Sequence, residues 1–230
     1  MRLKARLKLL YEDNHLIAVE KQPGTLTQEA ALDLPVLSHD VKAYLKEKYN
    51  KPGAVYLGLI HRLDTNVGGV ICFAKTSKAA ARLSQAIRKQ QFEKKYLAIV
   101  EGHVHQDETI VLTHFLKKDE EEKKAIVTNS TNGKESILKF KRLAQLGHRS
   151  LLEVQLMTGR FHQIRAQLAH HGIPIFGDAK YGTGKPRTTL ALYAYHLHFN
   201  HPTKKEKITI KHLPKNDLFS PFLKAANLQM

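Results

Sequence analysis

Two short segments hold the residue types that covalent chemistry needs. The first is His61-Arg62-Leu63-Asp64, set where the apolar run 57–60 meets a loop. A carboxylate and a guanidinium at such a junction are held by a rigid element yet face a ligand. Gly68 and Gly69 follow, permitting tight backbone geometry or close approach of a ligand backbone before the apolar run 70–74. The same residues could also make a structural turn with an Arg–Asp surface pair, which would contribute little. The second segment is Thr158-Gly159-Arg160-Phe161-His162-Gln163-Ile164-Arg165. It reads as the start of a helix, with His162 and Arg165 sharing a face. Unpaired N–H groups at a helix start favour anions, and an arginine can grip a carboxylate with two hydrogen bonds. An ordinary amphipathic helix with a solvated basic face fits too. Downstream, the stretch IPIFGDAKYG at 173–182 supplies a turn-rich loop with Asp178, Lys180 and Tyr181.

Fourteen histidines raise the question of a metal. His196, His198 and His201 form the best cluster, and the first two would share one face of a strand. They have no cysteine partners, and no HExxH helix occurs, so no metal site is expected. His103 and His105 read as strand-end surface residues. A nuclease using two metal ions needs clustered carboxylates; the acids here are scattered singly, which ranks that reading last.

The elements that must position these residues are mostly strands. Short β-branched runs occur at 16–20, 55–60, 70–74, 96–100, 109–112, 136–140, 151–156, 191–199 and 207–210. Three helices are predicted. One covers 77–90, capped by Thr76 or Ser77, and one covers 161–171, closed by Gly172 with Pro174 beyond. The third covers 39–49 with Ser38 as its cap. Many strands with few helices predict an α+β fold around a largely antiparallel sheet. Neither a linker nor an internal repeat is evident, so 1–230 is expected to be a single domain. The charged run 117–124 reads as an exposed, balanced turn.

Composition sets the outer limits. The chain has 230 residues, and 37 Lys and Arg against 21 Asp and Glu give a net charge of +16. The 42% of hydrophobic residues excludes a disordered basic tail. No apolar run is long enough for a membrane span or a signal peptide. The single Cys72 excludes an internal disulfide and suits a reducing cytoplasm. A folded protein this basic points to a polyanion, most often nucleic acid. Basic residues gather at 2–8, where they alternate with apolar ones, and at 75–100 and 200–215.

In order along the chain, these segments resemble the RluA-type family of RNA pseudouridine synthases. The resemblance rests on HRLD at 61–64 followed by TNVGGVICFAKT, and on TGRFHQIR at 158–165. The stretch GIPIFGDAKYG at 172–182, the KKYLAIVEG strand at 94–102, the late strand 190–202 ending in His-Pro and the opening 10–28 extend it over nearly the whole chain. One departure stands out: the family usually has Thr-Ser-Gly where this chain has Val67-Gly68-Gly69. Two hydroxyls that could shape the loop are lost.

The resemblance implies a pseudouridine synthase catalytic fold, α+β, with an extended, bent, mainly antiparallel sheet, flanking helices and a central cleft. It makes Asp64 the catalytic carboxylate, acting either as nucleophile at the ribose or as base at C2′. Arg165 becomes the cation that pairs with Asp64, and Tyr96 the aromatic that stacks on a flipped uracil. Arg62 with His61 would stand beside the flipped nucleotide, and Leu192 would line the uracil pocket. Arg160, His162, Lys94 and Lys95 complete the substrate-binding set. No cofactor and no metal are implied. The partner implied is structured RNA, a tRNA or rRNA stem-loop, bound by a cytoplasmic monomer. Many relatives carry an N-terminal S4 module; here residues 1–9 read as a basic extension or edge strand, so selection is expected to come from the catalytic domain. The alternative is a non-catalytic RNA-binding or RNA-folding protein on the same fold, motivated by Val67-Gly68-Gly69.

Overall fold

The computed structural model describes residues 7–30, 32–104, 108–185 and 188–229. The predicted strand over 2–8 and His105 therefore fall almost wholly outside the described residues; only Lys8 of that basic group is seen. The fold is α+β, and the described chain divides into two compact units. One comprises residues 1–92 with 196–212, the other 93–195 with 213–230.

In the first unit β1 (Leu9–Glu12) pairs antiparallel with β2 (Leu16–Lys21), and β2 pairs antiparallel with β4 (Gly68–Ala74). The short β3 (Gly58–Leu59) also pairs with β4. The β10 strand (Leu192–Asn200) runs back through β11 (Lys207–Lys211) as an antiparallel hairpin. Every residue of β4 is buried, which is why its sequence is continuously apolar rather than alternating. Helix α1 (Leu37–Lys48) begins two residues before the predicted start. Its cap position is Val36, with no side-chain hydrogen bond, so Ser38 lies inside the first turn instead of capping it. Helix α2 (Ser77–Arg88) is capped as predicted, Thr76 accepting the Ala79 N–H. Ala79 and Leu83 bury its apolar face in a core with Leu16, Ala18, Val70, Cys72, Phe92 and Phe199. The rings of Phe92 and Phe199 stack at 4.5 Å.

In the second unit the strand order is β5 (Phe92–Glu101), β9 (Arg149–Leu156), β8 (Lys134–Leu146), β6 (Ile110–Asp119), β7 (Lys124–Thr128), all antiparallel neighbours. The charged run 117–124 forms the end of β6, the turn, and the first residue of β7. Strands β1 and β7 have no counterpart in the sequence reading, because both are short and only partly buried. Helix α3 (Gln163–His170) starts later than predicted, since His162 adopts a left-handed backbone (φ 49°) that no α-helix continues through. Gly172, at φ 85°, follows its end as expected. A short α4 (Ser220–Ala225) near the C-terminus went unpredicted.

Candidate active site

The sequence-predicted residues divide between the units: His61, Arg62 and Asp64 belong to the first, and Lys94, Lys95, Tyr96, Arg160, His162, Arg165 and Leu192 to the second. Each half is built separately from its own sequence.

Asp64 sits on the loop between β3 and β4. Its Oδ1 accepts the Asn66 N–H at 3.1 Å and its carbonyl accepts the Val67 N–H at 3.0 Å, so the carboxylate closes a local turn. Arg62 is exposed, whereas Leu63 between them is buried. His61 Nε2 accepts the Cys72 N–H at 3.2 Å and so ties the HRLD segment to β4. Three residues from the β2 end hold this loop from behind. Thr27 exchanges hydrogen bonds with Leu63, its hydroxyl donating to the carbonyl at 3.2 Å and accepting the N–H at 3.3 Å. Gly24 donates its N–H to the Thr65 carbonyl at 2.8 Å.

The third is Lys21, whose side chain is fully buried. Its Nζ donates to the carbonyls of Gln22, Thr65 and Val67 at 3.1, 2.9 and 2.9 Å. Burial lowers its pKa to about 8, opposed by attraction to the Asp64 carboxylate. A buried charge with three carbonyl acceptors is a strut. Sequence reading missed it, because a lysine closing a short apolar strand before a turn looks like a solvated strand end. The only signal was its position directly before Gln22-Pro23-Gly24. The Val67-Gly68-Gly69 departure finds its place here. Val67 is buried and contributes its carbonyl to Lys21, and Gly69 adopts φ 127°, outside the range of an L side chain.

The second half centres on the turn 158–162. Buried Gln163 braces it: Oε1 accepts from the Thr158 hydroxyl and the Arg160 N–H, both at 2.9 Å, while Nε2 donates to the Ile137 carbonyl at 3.1 Å. Arg160 is exposed, its Nε donating to the Glu135 carbonyl at 3.1 Å. Arg165 is 5% exposed. Its Nε and Nη2 donate to the two oxygens of buried Asp178 at 2.8 Å each. Asp178 Oδ1 also accepts the Lys180 and Tyr181 N–H groups. Sequence reading placed Asp178 in its loop without giving it this partner.

On β5, Lys94 and Tyr96 point to one face by strand alternation. Burial lowers the Lys94 ammonium and raises the Tyr96 phenol well above its usual range. A Cβ at Gly159 would lie 3.3 Å from Lys94 Nζ, so the glycine leaves room for that ammonium beside the turn. Lys95 instead faces Glu153 at 3.5 Å and Glu93 at 3.9 Å. Leu192 is buried at the start of β10. No group of three or more His, Cys, Asp or Glu residues suited to a metal occurs among the described residues.

A pairwise antiparallel α+β scaffold with an acid-bearing HRLD loop and a braced TGR turn defines a class. The pattern of the RNA pseudouridylate synthase family matches residues 15–170, and the chain belongs to that family. Among curated relatives, it is 31% identical over 226 residues to the ribosomal large subunit pseudouridine synthase C of Buchnera aphidicola subsp. Baizongia pistaciae, covering 94% of this chain and 69% of that protein. It is 32% identical over 217 residues to the Escherichia coli K12 protein of the same name, covering 88% and 65%. The chain thus spans about two thirds of the length of these relatives. The fold is similar to that of human RNA pseudouridylate synthase domain containing 4, with a TM-score of 0.77 at 22% identity over 97% of this chain and 94% of that one.

Proposed function

We propose that this protein isomerises a uridine in structured RNA to pseudouridine, with Asp64 as the catalytic carboxylate. The observation that carries the reading is the family match over residues 15–170, which contains both HRLD and TGRFHQIR. The reaction breaks the bond between N1 and the ribose C1′, turns the uracil, and joins C5 to C1′. The proton lost from C5 ends on N1. Substrate and product have the same atoms, so the reaction consumes no cosubstrate, oxidant or reductant.

Each residue has a task in this reading. Asp64 either attacks the ribose or removes its C2′ proton, and both routes need the ionised form in a site closed to water. Arg165 holds Asp64 ionised against the desolvation that would raise its pKa. Tyr96 stacks on the uracil, Leu192 lines its pocket, and Arg62 with His61 stands by the extruded nucleotide. Lys94, Lys95 and Arg160 meet phosphates. Base flipping costs a few kcal/mol of stacking, which these contacts offset. The two units act together as one catalytic domain.

The names of the relatives favour large-subunit ribosomal RNA over transfer RNA as substrate. A cytoplasmic monomer is part of the reading; no helix among the described residues is long and apolar enough to cross a membrane. Asp64→Asn is the test. Pseudouridine formation on unmodified ribosomal or transfer RNA transcripts is expected to vanish while RNA binding persists. Undiminished formation in that variant refutes the role of Asp64. Wild-type protein that binds these RNAs without forming pseudouridine favours a non-catalytic RNA-binding protein instead.

A further inference from the structure

His162 has a left-handed backbone beside the site. It sits at φ 49°, ψ 24°, just before α3. Among non-glycine residues, asparagine, aspartate and histidine are the ones enriched in that region. What histidine adds at that position over asparagine is the reach of its ring.

The ring bridges two groups. Its Nε2 lies 3.2 Å from Arg165 Nη1, and its Nδ1 lies 2.9 Å from the Tyr181 hydroxyl. A guanidinium only donates, so Nε2 must accept, and the tautomer with its proton on Nδ1 donates to Tyr181. Tyr181 is itself anchored, its oxygen accepting the Ala125 N–H of β7 at 2.6 Å. The Phe161 ring stacks on the imidazole at 3.8 Å, and the Arg165 guanidinium lies 5.1 Å over the Tyr181 ring. An unbroken chain thus runs from the β7 backbone through Tyr181 and His162 to Arg165, and on to Asp178.

The guanidinium has five N–H bonds. Asp178 takes those of Nε and Nη2, and His162 takes one of Nη1. A bidentate pair on one edge still allows the plane to rock about that edge. A third contact on Nη1 opposes the rocking and fixes the plane of the guanidinium. Arg165 is the residue to which the proposed function gives the task of keeping Asp64 ionised.

We propose that His162, which the resemblance places in the substrate-binding set, acts instead with Tyr181 as a positioning residue that fixes the orientation of Arg165. The inference rests on the pseudouridine synthase reading. The reach of the amide tests it. Glutamine extends far enough for its oxygen to replace Nε2 at Arg165, whereas asparagine stops near the place of Nδ1. His162→Asn should unfold above His162→Gln, because asparagine tolerates the left-handed backbone better than glutamine. Its single-turnover rate on unmodified large-subunit ribosomal RNA transcript should nevertheless fall about 10- to 100-fold, the scale of a misplaced catalytic group. The dissociation constant for that RNA should stay within about twofold, well under the tenfold that 1.4 kcal/mol represents. His162→Gln should unfold at a lower temperature yet keep most of the rate, and Tyr181→Phe should fall between the two in rate. Equal rates for the Asn and Gln variants, or rates that follow their stabilities, overturn the inference while leaving the function intact. Wild-type protein inactive on ribosomal and transfer RNA alike overturns the function, and this inference with it.

Discussion

Replacing Lys21 with methionine removes the strut behind Asp64 while keeping the length of the side chain. Two effects oppose each other. The carbonyls of Gln22 and Val67 lose the Lys21 donor, whereas that of Thr65 retains the Gly24 N–H. A buried acceptor left without a partner costs about 1–3 kcal/mol; Val67 is buried and Gln22 exposed, so the loss is about 1–3 kcal/mol. Methionine also escapes a penalty. Burial brings the lysine from 10.5 to about 8, and at about 1.4 kcal/mol per pH unit that is roughly 3 kcal/mol at neutral pH. At pH 7 the two effects largely cancel, and the variant should lie within about 3 kcal/mol of wild type. The pH dependence separates them. Between pH 8 and 10.5 the unfolded lysine still holds a proton that the folded one has released, so wild-type stability rises with pH through that window. Methionine has no such gain. Urea unfolding at pH 7, 8, 9 and 10 should show the gap between the two proteins widening by up to about 3 kcal/mol in favour of wild type. At pH 7 the variant's looser loop should slow pseudouridine formation about 10- to 100-fold with RNA binding little changed. A stability gap constant from pH 7 to 10, or full activity in the variant, refutes the assignment of Lys21 as the strut.

Other consequences can be measured with the same preparations. Burial alone would raise the Glu12 carboxyl, but hydrogen bonds from Lys48, Lys75, Tyr49 and Tyr44 more than offset it and hold it at about 2. Wild type should therefore lose about 2 kcal/mol as the pH falls from about 4.5 towards 2, and Glu12→Gln should flatten that acid limb in urea titrations. Gly69→Ala places a side chain at φ 127° and should cost about 1–3 kcal/mol, read as a lower urea midpoint. Exposed Lys205 and Lys207 are candidate phosphate contacts; changing both to glutamine should reduce the slope of log binding constant against log salt by about 1.4–1.8. Arg165→Ala should instead abolish pseudouridine formation with RNA binding largely retained; a binding loss equal to that of the lysine variant contradicts this division of labour.

Three motif segments and most of the elements around them were legible in the sequence alone. HRLD, TGRFHQIR and GDAKYG survive as readable strings because the groups in each are neighbours along the chain. Helix α2 was legible for the same reason: its cap, Thr76, and its buried Ala79 and Leu83 lie within two helical turns of one another. The short apolar run 70–74 likewise read as a strand, and the fold buries every residue of β4. What lay beyond reach was decided by contacts distant in sequence. Lys21 became a strut only when folding brought Thr65 and Val67 to its ammonium across a separation of 44 and 46 residues. Arg165 found Asp178, and His162 found Tyr181, through a loop whose path no local periodicity encodes. The left-handed turn at His162, which shortens α3, is likewise something no hydrophobic spacing signals. Hydrophobic spacing records which face of an element is buried; which polar groups meet behind a loop is settled only when distant backbone carbonyls and side chains must satisfy one another away from water.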